Sequence, residues 1–131
     1  MFAINPADPA PIWRQIEDGV RRLIALGALA PGGAVPSVRD LARDLRVNPN
    51  TVARAYQRLT DTGVLSVKRG EGTFVSDTQP QTRKAERHEM LREGANRYAG
   101  TVVTTGASVE DAVSELETSY QRLVREHRRK A

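Results

Sequence analysis

The chemistry with the clearest signature in this chain lies between Asn50 and Arg58. Asparagine bonds adenine through two edge atoms at once, and arginine bonds guanine in the same paired fashion. In a helix Asn50 and Arg54 fall on one face, flanked by Thr51, Ala53, Gln57 and Arg58. Val52, Ala55, Tyr56 and Leu59 recur at i, i+3, i+4, i+7 and form an apolar stripe on the opposite side. Asn48 is a good N-cap and Pro49 suits the first turn, so the helix is expected over residues 49–62. An apolar back with such a front is how a helix that enters the major groove is built. An ordinary amphipathic surface helix is the plain alternative, and the neighbouring segments decide against it.

A second set of polar residues brackets that helix. Ser37 opens a short amphipathic segment, with Asp40 three residues on in the pattern of a capping box. Val38, Leu41, Ala42 and Leu45 form its buried face. Ser37 stands at a helix N-terminus, where backbone N–H groups favour a phosphate, and Arg39 projects from the same turn toward phosphate or a base edge. Only Arg46 and Val47 separate this segment from Asn48, which suggests a helix-turn-helix. After Gly63 come Val64–Val67, a Gly-rich basic centre (Lys68, Arg69, Gly70, Glu71, Gly72) and Thr73–Val75. This pattern predicts a β-hairpin, and a hairpin there is a wing able to lie on phosphates or dip into a minor groove. Lys68 and Arg69 would position it, and Arg58 could reach a phosphate.

Upstream, Ile12, Ile16, Val20, Leu23 and Ile24 predict a first helix within Pro9–Leu29, capped by Asp8 and ended by Gly27 and the Pro31-Gly32-Gly33 cluster. Trp13 reads as a core or interface filler. Ala34–Pro36 reads as a brief extended piece. Downstream, Ser76–Arg83 reads as a linker, Lys84–Ala99 as a helix and Thr101–Ala107 as a loop. Ser108 then caps a last helix. Val109, Ala112, Val113, Leu116, Tyr120, Leu123 and Val124 give that helix a long apolar stripe, and the cations from Arg125 to Lys130 complement its dipole.

The bulk figures agree with a soluble protein of modest size. The chain has 131 residues, 39% hydrophobic and 27% charged. Aromatics are 5%, so the core must be mostly aliphatic. The net charge of +4 permits an anionic partner without demanding one. Cysteine is absent, which excludes disulfides and thiolate metal sites and fits a cytoplasmic location. The stretch Met1–Pro6 does not read as a signal peptide, and no apolar run approaches the ~20 residues of a membrane span.

An enzyme is disfavoured. His88 and His127 are the only histidines, and no Ser-His-Asp order, metal-ligand spacing or phosphate loop accompanies them. No helix pattern follows Gly70-Glu71-Gly72, so it is not a dinucleotide loop. No catalytic residue, metal site or cofactor is expected.

Four stretches occur together: Pro36-Ser37-Val38-Arg39-Asp40-Leu41-Ala42, Val47–Leu59, Gly63-Val64-Leu65 and Gly70-Glu71-Gly72-Thr73-Phe74-Val75. In this order and spacing, Pro11–Val75 resembles the winged helix-turn-helix domain of GntR-type bacterial transcription regulators. The short tail and Asn48-Pro49-Asn50-Thr51-Val52 followed by Arg54-Ala55-Tyr56 resemble the YtrA subfamily; larger subfamilies carry a much bigger effector-binding domain. The resemblance implies that Arg39, the start of the 49–62 helix and Gly72 contact an operator. It also implies repression, autoregulation and control of nearby transporter operons. Arginines that other members carry are replaced here by Pro49 and Ala53, which leaves Asn50 and Arg54 to take over those contacts.

The expected fold is α+β, mainly α: a winged helix-turn-helix over 1–76, then a linker and two-helix dimerisation region over 77–131. The expected function is sequence-specific binding of an inverted-repeat, double-stranded DNA operator by a homodimer. Asn50, Thr51 and Arg54 would enter the major groove, and Ser37, Arg39, Arg58, Lys68, Arg69 and Gly72 would make the remaining contacts. Val109, Val113, Leu116, Tyr120 and Leu123 would form the dimer surface, because two helices have little interior in which to hide them. The tail is too small for an obvious enclosed pocket, so a small-molecule effector of unidentified chemistry would need a cleft between dimer halves or at the linker. The competing reading is a winged-helix architectural or protein-interaction module without sequence-specific readout; a pure protein-binding module would more naturally carry apolar residues at positions 50 and 54.

Overall fold

The computed structural model describes residues 2–80 and 84–128, so the expectations for linker residues 81–83 and for the terminal residues 129–131 lie outside the described residues. The described chain runs α1 (Ile12–Ala25), α2 (Val38–Leu45), α3 (Pro49–Asp61), β1 (Leu65–Lys68), β2 (Gly72–Val75), α4 (Lys84–Thr105) and α5 (Val109–Arg128). It divides into two units, one up to Pro80 and one from Gln81.

Each helix of the first unit starts where local chemistry permits. The Asp8 carboxylate is spent on the Ala10 N–H (2.9 Å) in a turn of its own, so it does not cap α1. Pro11 holds the N-cap position instead, without a side-chain cap, and the helix begins at Ile12 rather than near Pro9. It ends at Ala25, before Leu29, as the Ala28 N–H turns back to the Leu23 carbonyl (2.9 Å). Ile16, Val20 and Leu23 are buried as the spacing requires, but Ile12, the first residue of the helix, is 41% exposed.

Ser37 caps α2 by accepting from the Asp40 N–H at 3.1 Å. The reciprocal half of the expected capping box is missing, since the Asp40 carboxylate accepts from Arg43 at 3.1 Å. Arg46 closes the helix at φ 57°, a left-handed conformation that a non-glycine residue adopts at some cost. Asn48 then caps α3 through the Asn50 N–H (2.8 Å), with Pro49 in the first turn. Val52, Ala55, Tyr56 and Leu59 are all buried.

The hairpin pairs antiparallel, Leu65 with Val75 and Lys68 with Gly72. Its tip is closed by the Glu71 N–H on the Lys68 carbonyl at 2.9 Å. Gly70 at φ 77° and Gly72 at φ 124° adopt conformations that side-chain-bearing residues resist, which accounts for the glycines in this turn. The extended piece before α2 joins as a single bridge, Ala34 with Phe74. Gly32 N–H to Val75 O, Val75 N–H to Gly33 O and Val35 N–H to Thr73 O, all 2.8–3.0 Å, lace it in. One aliphatic core, with Tyr56 its buried aromatic, joins α1, α2, α3 and both strands. The first part of the expected linker is pinned down: the Gln79 amide donates to the carbonyls of Val64 (3.0 Å) and Ser76 (3.2 Å).

In the second unit α4 runs on through Thr105, so the loop expected over 101–107 is mostly helix. The hydroxyls of Thr101 and Thr104 bond back to the carbonyls of Arg97 (3.3 Å) and Gly100 (2.9 Å), so these side chains are satisfied within the helix. Ser108 caps α5 through the Asp111 N–H (3.1 Å), as its spacing predicts. The two helices meet where the Tyr98 hydroxyl donates to the Ala112 carbonyl at 2.6 Å. Ala112 is buried, whereas Val109, Val113, Leu116, Tyr120 and Leu123 are 41–71% exposed.

Candidate nucleic-acid interface

The side chains singled out from the sequence fall into three local groups. Asn50 and Arg54 are exposed on α3, and Thr51 beside them is half-buried. Ser37 and Arg39 are exposed on the first turn of α2. Lys68, Arg69 and Gly72 are exposed at the hairpin tip.

Two polar links fix these groups within the first unit. The Tyr56 hydroxyl on α3 donates to the carbonyl of Pro36, the residue before Ser37, at 2.7 Å. The start of α2 is therefore tied to α3. Burial pushes the Tyr56 phenol up from 10.0 to about 12, so it stays a proton donor across the neutral range. The hairpin follows α3 directly, with the Val64 N–H on the Leu59 carbonyl at 2.9 Å.

Charge pairing sets Arg58 apart from the other cations singled out from the sequence. Arg43 pairs with Asp40 at 3.1 Å, and Arg58 pairs with Glu17 at 2.5 Å. Arg39, Arg54, Lys68 and Arg69 have no carboxylate partner among the described residues. Lys68 lies over the Phe74 ring, 4.6 Å from its centroid, which steadies the side chain without neutralising it.

An arrangement that the sequence does not signal centres on Trp13. The guanidinium of Arg54 lies 4.8 Å and that of Arg58 lies 4.4 Å from its ring centroid. Trp13 also packs against the core, as a filler would, but its outer side carries two arginines. No local spacing signals this, because the partners are far apart in the chain. Arg58 is thereby held at Glu17 and Trp13, half-exposed, rather than projecting alone.

The second unit presents an apolar groove of about 500 Å³ between α4 and α5, lined by residues that include Leu91, Tyr98, Val102, Val113 and Leu116. Among the described residues no cluster of His, Cys, Asp and Glu is suited to a metal ion. No described helix is long and apolar enough to cross a membrane.

Comparison with known proteins accounts for this architecture. Residues 13–75 match the model of the bacterial regulatory proteins of the gntR family. The chain is 37% identical to the HTH-type transcriptional repressor YtrA of Bacillus subtilis over 71% of its own length and 72% of that protein's. The chain belongs to the GntR family of bacterial regulatory proteins. Proteins of solved structure share its course. A YtrA from Sulfolobus acidocaldarius is 35% identical, with a TM-score of 0.55 over 74% of this chain and 95% of that one. A transcriptional antiterminator from Listeria monocytogenes EGD-e is 28% identical, with a TM-score of 0.67 over 95% of this chain and 92% of that one. The DNA-binding domain of AraR, solved in complex with operator ORE1, is 25% identical, with a TM-score of 0.51 over 56% of this chain and 89% of that one. GntR-family relatives are thus named as transcriptional regulators, not enzymes.

Proposed function

We propose that this GntR-family protein is a transcriptional repressor that binds an inverted-repeat operator as a homodimer. The observation that carries the reading is α3 itself: Val52, Ala55, Tyr56 and Leu59 are buried, while Asn50 and Arg54 are exposed and Arg54 has no carboxylate partner among the described residues. In this reading α3 enters the major groove. Asn50, Thr51 and Arg54 meet base edges, with Ser37 and Arg39 at its flank on phosphate or base. Lys68, Arg69 and Gly72 carry the hairpin onto the backbone or into the minor groove. Arg58 acts from its place beside Glu17.

One winged domain reads few base pairs, and a two-fold dimer doubles the count. The apolar face of the α4–α5 pair supports a second copy as the partner. Its apolar side chains stay exposed in the single chain, and an isologous contact would bury the same residues twice. Val109, Val113, Leu116, Tyr120 and Leu123 form that surface.

The test is selection of duplexes from a random-sequence library by the purified protein, with its mass measured by light scattering on and off DNA. An inverted-repeat consensus bound by two chains supports the reading. Binding without a consensus turns the assignment toward an architectural module, and a monomer on a single half-site removes the dimer.

A further inference from the structure

We propose that Trp13, on α1, is a positioning residue for Arg54: its indole holds the guanidinium over α3, poised for base-edge contact before DNA arrives. This deepens the reading of α3 as the groove-entering helix and rests on it.

Three observations carry the inference. The Arg54 guanidinium lies over the Trp13 ring, 4.8 Å from its centroid. A guanidinium held over an aromatic face keeps its N–H edge available for paired hydrogen bonds. Second, the ring is itself anchored, because Trp13 is partly buried and packs against the core. Third, the second guanidinium on the same ring, Arg58 at 4.4 Å, is bonded to the nearly buried Glu17 carboxylate. That carboxylate offsets the charge of Arg58, so two cations share one indole without strong mutual repulsion. Arg58 is the strut, and Arg54, with no carboxylate partner among the described residues, is left to face DNA.

A solvent-exposed arginine must give up its rotamer freedom when it grips a base. One already held over an indole has given up much of it beforehand, which is worth roughly threefold to tenfold in affinity for the preferred sequence. The effect should appear in discrimination, since contacts to phosphate do not pass through Arg54.

The experiment uses the full chain and two duplexes: the sequence selected by the wild-type protein from a random library, and a scrambled duplex of the same composition. The ratio of the two affinities is measured for wild type, Trp13→Leu, Trp13→Phe, Arg54→Ala and the Trp13→Leu/Arg54→Ala pair. Trp13→Leu is expected to lower the ratio threefold to tenfold when Arg54 is present and to leave it within twofold when Arg54 is absent. Trp13→Phe, which restores an aromatic face, should recover most of the loss. Equal losses in both arginine backgrounds, or no loss in either, overturn the positioning role while the reading of α3 stands. If Arg54→Ala keeps the wild-type ratio, that reading of Arg54 fails and takes the proposal with it.

A readout without DNA comes from Trp13 being the sole tryptophan of the chain. Arg54→Ala should uncover the ring, raising acrylamide quenching of its fluorescence while Arg58 stays in place. Unchanged quenching overturns the stack in solution. This measurement decides the matter even if Trp13→Leu fails to fold.

Discussion

Glu17 and Arg58 meet across 41 residues of sequence: the Arg58 Nε donates to the Glu17 Oε1 at 2.5 Å. The Glu17 side chain is 11% exposed and that of Arg58 is 51% exposed, so the pair bridges the inside of α1 and the outside of α3. Such a pair contributes little for its own Coulomb energy, but losing one partner strands a desolvated carboxylate. Arg58→Ala should therefore destabilise the winged unit by about 1–3 kcal/mol. Glu17→Gln, which keeps a hydrogen-bonding oxygen, should cost less. Urea unfolding followed by circular dichroism checks the order, and equal stabilities would show the pair to be energetically idle.

The burial of Tyr56, whose hydroxyl bonds the Pro36 carbonyl, gives the protein an alkaline weak point. Burial holds the folded phenol at about 12 against 10.0 in the open chain. Below pH 10 both states keep the proton and the contribution is complete. Between about 10 and 12 the unfolded state alone ionises, so stability is lost as pH rises, with a full loss on the order of 2–3 kcal/mol. Tyr56→Phe should cost about 1 kcal/mol at neutral pH, by leaving the Pro36 carbonyl without its donor. Its stability should then fall less steeply than wild type above pH 10. Parallel curves for the two proteins would contradict this account.

Arg54 and Lys68 should fail in different ways. Arg54→Ala is expected to cost about 1–3 kcal/mol on the selected duplex and to relax preference at one base pair. Lys68→Ala should weaken every sequence alike and lower the slope of log affinity against log salt by about 1. Titrations on selected and scrambled duplexes at several salt concentrations separate the two. Identical profiles would mean that α3 contributes charge and not readout.

Leu116 is 56% exposed in the single chain, so Leu116→Asp has little fold to disturb. It should nevertheless halve the mass seen by light scattering. Affinity for a two-half-site operator should fall by about 100-fold or more, as the gain from joint binding disappears, while a single half-site is bound as before. A dimer that survives this change does not use the α4–α5 groove.

Features set by nearest neighbours were legible without coordinates. Ser37, Asn48 and Ser108 each cap the helix they precede, and the stripe from Val52 to Leu59 is buried throughout. Local cues misled where two of them competed. Asp8 looked like a cap but serves its own turn, and the threonines near Thr101 looked like loop residues but bond back along α4. The Trp13–Arg54–Arg58–Glu17 cluster had no local cue at all. It depends on how α1 crosses α3, which is a property of packing and not of spacing, and it changes the place of Arg58 from a lone cation to half of an ion pair.

The strand-like piece before α2 also has a consequence for how this scaffold can vary. Residues Gly32 to Val35 are laced to β2 on one side and lead at once into the α2 cap on the other. A residue inserted there has no slack to vanish into; it must either unzip the bridge at Ala34 or swing the hairpin against α3. The connector therefore works as an inextensible ruler, and under the proposed function lengthening it would move the footprint of the wing along the duplex while leaving unchanged the bases assigned to α3.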